Sequence, residues 1–194
     1  MKKPGIIIVA IIAVIAIWAV SHQYNGMVSK QEAATTTLAD LQATYQRRAD
    51  MLPQLVKVVK AYAQHEQETF AKVTEARNQA MQIKLDAEDL TPEKIQQFQK
   101  MQDELHSALT RLLAVAEAYP ELKASENFKS LQVQIEGTEN RINEARQKYN
   151  SSVQDYNTTI RRFPTVLVAG MMGFDKMLKF EAAAGAEKAP DLDI

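Results

Sequence analysis

From Gly5 to Val20 no charged or strongly polar side chain interrupts the chain, and this run constrains everything that follows it. Its seven Ile and three Val supply roughly −3 to −6 kcal/mol of insertion free energy at about −0.3 to −0.6 kcal/mol each. At about 1.5 Å per residue the run reaches about 24 Å, slightly short of a hydrocarbon core of roughly 30 Å. Lys2 and Lys3 can snorkel at one end, and Trp18 and Tyr24 can sit at the opposite interface. A cleaved signal peptide has the same basic start and apolar core. Its one plausible site here, however, follows Ile17-Trp18-Ala19, with bulky Ile17 where a small residue is required. No cysteine offers a lipid attachment point, and the rest of the chain is too polar to bury the run as a core helix. The reading that fits is a retained single-span anchor over residues 1–23.

Charge sets the orientation. Lys2, Lys3 and the α-amino group precede the run, whereas Ser21 to Met27 carries no Lys or Arg and the next basic residue is Lys30. The positive-inside rule then places the N-terminus in the cytoplasm and the large domain across the membrane. The absence of cysteine is compatible with an oxidising exterior without requiring it.

About 170 residues remain, enough for one domain with its own core. A formal net charge of −1, with no basic cluster interleaved with aromatics, argues against a nucleic-acid footprint. Only six Gly and six Pro occur in 194 residues, no stretch alternates like a strand, and Ala, Gln, Glu, Lys and Leu abound. The domain is all-α.

Apolar residues recur at 3–4 spacing from Val28 through Leu38, Leu41 and Tyr45 to Leu52. Pro53 then breaks or kinks the helix, and Asp50 can cap a new one. A second stripe runs Leu52, Leu55, Val56, Val59, Tyr62, Phe70, Val73, Ala76, Ala80 and fades into a polar connector, Lys84 to Asp89. Thr91-Pro92-Glu93 is a helix start. The third stripe, Ile95 to Tyr119, stops before Pro120. Ser125-Glu126 opens the longest one, Phe128 to Phe163, which Pro164 ends. Four such helices predict an elongated antiparallel four-helix bundle over 24–163. A kink at Asp50–Pro53 would instead give three long helices, one of them bent.

Tyr24-Asn25, Gln46-Arg47-Arg48-Ala49-Asp50-Met51-Leu52-Pro53-Gln54-Leu55-Val56, His65-Glu66, Ala76-Arg77, Ala116 to Ala124, Thr138-Glu139-Asn140, Ala145-Arg146, Tyr149-Asn150, Tyr156-Asn157 and Phe163-Pro164, in this order, resemble the bacterial LemA family from Tyr24 to about Phe174. The resemblance implies a membrane-anchored helical bundle of the bacterial envelope, and carries no catalytic chemistry with it. Combined with the charge rule, it places the chain in the inner membrane with the bundle on the periplasmic side. The connector near Lys84–Leu90 and the C-terminal tail fall outside the resemblance.

No catalytic, cofactor or metal site is expected. Asp103-x-x-His106 has the spacing of a bundle carboxylate–His pair, but there is one copy and a solvated face explains it better. His65 and Glu66 are adjacent and point about 100° apart, so they cannot chelate one ion together. No Gly-x-Ser-x-Gly, Ser-x-x-Lys or phosphate loop is present. Glu66, Arg77, Glu117, Glu139 and Arg146 fall at or beside stripe positions. They are either stripe edges whose long side chains reach water or an interhelical charged layer that fixes register. The Tyr-Asn steps seven residues apart on the last helix could extend such a layer.

The segment 164–180 is apolar and membrane-proximal in this topology. Met171, Met172, Phe174 and Met177 are its candidate interaction surface, for lipid, a partner or a second copy, unless the segment folds back to cap the bundle. Residues 181–194 read as a disordered acidic tail. The function expected is a non-enzymatic, self-associating scaffold or adaptor, with the lipid bilayer and membrane proteins as partners and no nucleic acid. The alternative is a small-molecule or lipid sensor with a pocket between helices.

Overall fold

The computed structural model describes residues 3–180; the tail expected over 181–194 lies outside them. The described residues are helical without strands: α1 Lys3–Tyr62, α2 Gln67–Gln82, a 3-10 turn Ala87–Asp89, α3 Pro92–Ala118, α4 Pro120–Ala124, α5 Glu126–Arg161 and α6 Thr165–Met172. The first, at 60 residues, is about 90 Å long at 1.5 Å per residue. Its N-terminal part is long and apolar enough to cross a membrane, and its most apolar stretch is entirely unburied.

Pro53 neither ends nor divides α1. This settles the joint left open in the sequence: α1 continues to Tyr62, and Asp50 is no cap but accepts from Gln46 Nε2 within the helix at 2.9 Å. The reversal comes at Ala63–Glu66 instead. Between Tyr62 and Phe70 the only apolar residue is Ala63, so no continuous stripe existed to carry one helix across. Ala63 is buried, and its N–H still reaches Val59 O.

The Thr91 start is as expected, with its hydroxyl accepting from Lys94 N at 3.2 Å and Pro92 in the first turn. The connector before it is less polar in its role than in its composition. Leu85 is buried, and the Gln42 side-chain amide clamps it, donating to its carbonyl at 2.6 Å and accepting from its N–H at 3.1 Å.

Contacts pair rising positions on α1 with falling positions on α6 and α5: Gln23 with Thr165 of α6, then Lys30 with Asp155 and Arg48 with Glu139 of α5. Three apolar clusters stack along α1 and α5. The largest lies farthest from the apolar run and joins α1 from Ala49 onward with α2, the later turns of α3, α4 and the start of α5. A middle cluster brings Leu38, Leu41 and Tyr45 against Phe98, Tyr149 and Phe180. A small one, Met27, Tyr156, Ile160 and Ala169, closes the end nearest the run. Phe163 does not complete the stripe of α5: it is 81% exposed, because α5 ends at Arg161 and the chain turns into α6.

Candidate functional site

Three constructions stand out, each built from polar groups on this helical frame. The first surrounds Arg48, which is 3% exposed. Its Nη1 donates to both oxygens of Glu139 at 2.9 and 3.2 Å, and its Nη2 donates to the carbonyl and side-chain oxygens of Gln102 at 3.1 and 2.6 Å. The guanidinium lies 5.4 Å from the Tyr45 ring centroid, and its Nε is buried without a hydrogen-bond partner. Burial raises the Tyr45 hydroxyl pKa, against the lowering pull of Arg146 and Arg48. His106 Nδ1 approaches Glu139 at 3.6 Å. Arg48 and Gln102 are thus the centre of a polar layer, and both lie outside the five charged candidates Glu66, Arg77, Glu117, Glu139 and Arg146. The signal was available, since Arg48 follows Leu38, Leu41 and Tyr45 at the same 3–4 spacing.

The five charged residues read either as stripe edges or as one layer do not form a single group. Glu139 belongs to the Arg48 group. At the next residues of α1, Arg77 Nε donates to Ala49 O at 2.9 Å and its Nη2 lies 3.8 Å from Asp50. Glu66 accepts from the Tyr119 hydroxyl at 3.4 Å, Glu117 is exposed, and Arg146 stands 5.9 Å from the Phe180 ring centroid. The bland reading holds for Glu117. Arg48, itself buried, and the partly exposed Glu139 form an interhelical ion pair.

The second construction explains the Tyr-Asn steps. After Gly173, which ends α6 with a left-handed φ of 75°, residues 174–180 return along α5 as an extended strap. Asn157 donates to Met177 O and accepts from Met177 N at 2.8 and 3.0 Å. Asn150 does the same for Phe180 at 2.8 and 2.9 Å. Tyr156 and Tyr149 donate to the carbonyls of Asp175 and Leu178 at 2.9 and 2.7 Å. The register works because seven helical residues rise about 10.5 Å and three extended residues span about 10 Å. Each heptad on α5 therefore meets each third residue of the strap. Burial pushes the Tyr149 pKa up to about 12 and also raises that of Tyr156, where Asp175 adds to the effect.

This strap divides the proposed interaction residues. Met177 is partly buried against two clusters, and Phe174 packs edge-on to Tyr24 with centroids 5.5 Å apart. Met171 and Met172 stay 82% and 51% exposed. The capping role and the open surface thus coexist in one segment.

The third construction is an open groove of about 1000 Å³ between α2 and α3, with Tyr45 and Arg146 contributing from α1 and α5. Lys72, Glu75, Gln99, Lys100, Asp103 and Arg111 are among its lining. Such a wall is solvated and gives no enclosed apolar seat of the kind small ligands use. Among the described residues no group of three or more His, Asp or Glu side chains is placed to hold a metal ion.

A long apolar helix running unbroken into a stack of helical cores, with polar groups spent on joining its own segments, defines a helical-rod protein with one N-terminal helix fit to span a membrane. The chain belongs to the LemA family, whose model matches residues 37–193. That span takes in the connector and the tail, beyond the motifs that carried the resemblance. No curated protein matches the chain.

Proposed function

We propose that this chain is a non-enzymatic, membrane-anchored scaffold or adaptor of the bacterial envelope that associates with itself in the plane of the membrane. Residues 24–163 are read as an antiparallel four-helix bundle on the periplasmic side of the inner membrane, with the N-terminus in the cytoplasm. The observation that carries this reading is the continuity of α1, which passes from the apolar run into the bundle core with no hinge. A tethered enzyme needs only a flexible linker; an unbroken helix instead fixes the height and direction of whatever surface the bundle presents. The polar side chains described above bond mainly to main-chain groups of the same chain, leaving the sides of α2 and α3 as the presented surface.

The test is photo-cross-linking of the full chain in native membranes, with the reactive residue placed in turn at exposed positions of α2, α3 and α5. Adducts of defined mass that recur from one face, including one at twice the chain mass, support the proposal. Adducts from no position other than lipid ones would remove it.

A further inference from the structure

We propose that α6, with Phe163 before it, lies in the membrane interface as a second point of attachment, its outer face covered by lipid and Arg161 and Arg162 meeting anionic headgroups. The inference rests on the anchor reading of residues 5–20 but not on the scaffold role. α6 contains no charged residue, and only Thr165 and Ala169 are buried. Phe163, Leu167 and Met171 recur at every fourth position and are 81, 60 and 82% exposed. Met172 and Val166 flank them, also exposed. A water-facing helix of this composition is unusual, because soluble surfaces seldom gather large apolar side chains into one patch.

The position of the helix names what covers it. Thr165 Oγ1 donates to Gln23 Oε1 at 2.6 Å, and the Tyr24–Phe174 ring contact fixes the other end of α6 to the same turn of α1. Gln23 lies three residues beyond Val20, about 4.5 Å along a helix axis. The headgroup layer on each side of a bilayer is about 5 to 8 Å thick. Since α1 has no joint there, seating its apolar run in the hydrocarbon puts α6 at headgroup depth, and its exposed face continues the unburied apolar surface of the run. Arg161 and Arg162 are exposed at the end of α5, immediately before Phe163, where phosphate groups would lie. An apolar face with a basic edge at this depth is the pattern of an interfacial helix. With the anchor it makes two contacts, which stop the rod from spinning about the axis of α1.

The chain has no cysteine, so single nitroxide labels report cleanly. Labels are placed at L167C, M171C, I12C and V133C in the full chain, reconstituted in phosphatidylcholine vesicles with and without phosphatidylglycerol. All four side chains are exposed, so folding is preserved. The 167 and 171 labels should be reached by oxygen and shielded from an aqueous nickel chelate, as at Ile12, whereas Val133 should be open to nickel. Nickel access at 167 and 171 with Ile12 still immersed overturns the inference alone; access at Ile12 as well overturns the anchor reading beneath it. Shielding from both reagents with spin–spin broadening means a second copy covers the face, and also overturns it. Replacing both arginines with Gln should raise nickel access at 167 severalfold in vesicles containing phosphatidylglycerol and leave it unchanged without that lipid. No change in either removes the arginines' headgroup role.

Discussion

Arg77 donates from Nε to the main-chain oxygen of Ala49 at 2.9 Å, the acceptor that Pro53, four residues on, has no N–H to serve. A proline inside a helix removes one rung and strains the turn before it, at a cost of about 3 kcal/mol. Here the freed carbonyl is capped from α2, so that α1 is continuous only in the presence of its neighbour. The Arg77–Asp50 approach at 3.8 Å between partly exposed groups adds little.

Replacing Arg77 with Ala should therefore destabilise the protein by about 1–2 kcal/mol, the cost of a half-buried acceptor left unmet. In a Pro53→Ala background the new N–H serves Ala49 itself, and the same substitution should cost well under 1 kcal/mol. Urea titration of the four proteins gives the coupling directly. Equal costs of Arg77→Ala in both backgrounds would show that the two residues are independent.

Around Arg48 the asymmetry should run the other way from a simple count of bonds. Glu139→Ala leaves a buried guanidinium without its anion and should cost about 2–4 kcal/mol, below the full buried-pair range because Glu139 keeps a quarter of its side chain exposed. Arg48→Met removes the buried charge along with its Nε and should cost less. A larger loss for Arg48→Met than for Glu139→Ala, in the same denaturant series, would contradict this ordering.

The strap can be tested through its own lysines, since Lys176 and Lys179 are exposed trypsin sites. Asn150→Ala with Asn157→Ala deletes four hydrogen bonds to the strap backbone, at roughly 0.5–1.5 kcal/mol each. Cleavage after these lysines should accelerate at least thirtyfold while helix content by circular dichroism stays within a few per cent. Loss of helix content in step with cleavage would mean that the strap is part of the global fold rather than a separately opening unit.

Tyr149 makes stability depend on pH at the alkaline end. Its pKa is raised to about 12 by burial, so the unfolded chain releases this proton near pH 10 while the folded chain retains it. Stability from this group is complete below pH 10 and is lost as pH rises toward 12, by on the order of 2 kcal/mol. Tyr149→Phe also loses the bond to Leu178, so it should be less stable at pH 8 yet show a shallower decline between pH 10 and 12. Parallel declines in the two proteins would place the titration elsewhere.

Helix type, the apolar span, the start at Thr91-Pro92 and the stop at Pro120 were legible because each depends on residues within a turn or two of one another. Periodicity and proline are local signals. The exposed face of α6 was half legible: the apolar segment was evident, but nothing local distinguishes Met171, which is left outside, from Met177, which the strap draws in. The Tyr-Asn steps were visible as a heptad repeat whose role was open, because their partners are main-chain groups of residues 175–180, which have no sequence signature.

By itself, then, the sequence determined that this chain is helical, that it carries one run fit for a bilayer, and where most of its helices begin and end. Only the tertiary structure decided that α1 passes through Pro53, that Arg48 rather than Arg77 is the buried cation, and that the chain returns along α5 after Gly173. The physical reason is common to all three. Each outcome turns on a main-chain or charged group left unsatisfied locally and met by a side chain 20 to 91 residues away: Ala49 by Arg77, Arg48 by Glu139, Met177 and Phe180 by Asn157 and Asn150. Such a debt is visible in one dimension, whereas the group that settles it is chosen by packing.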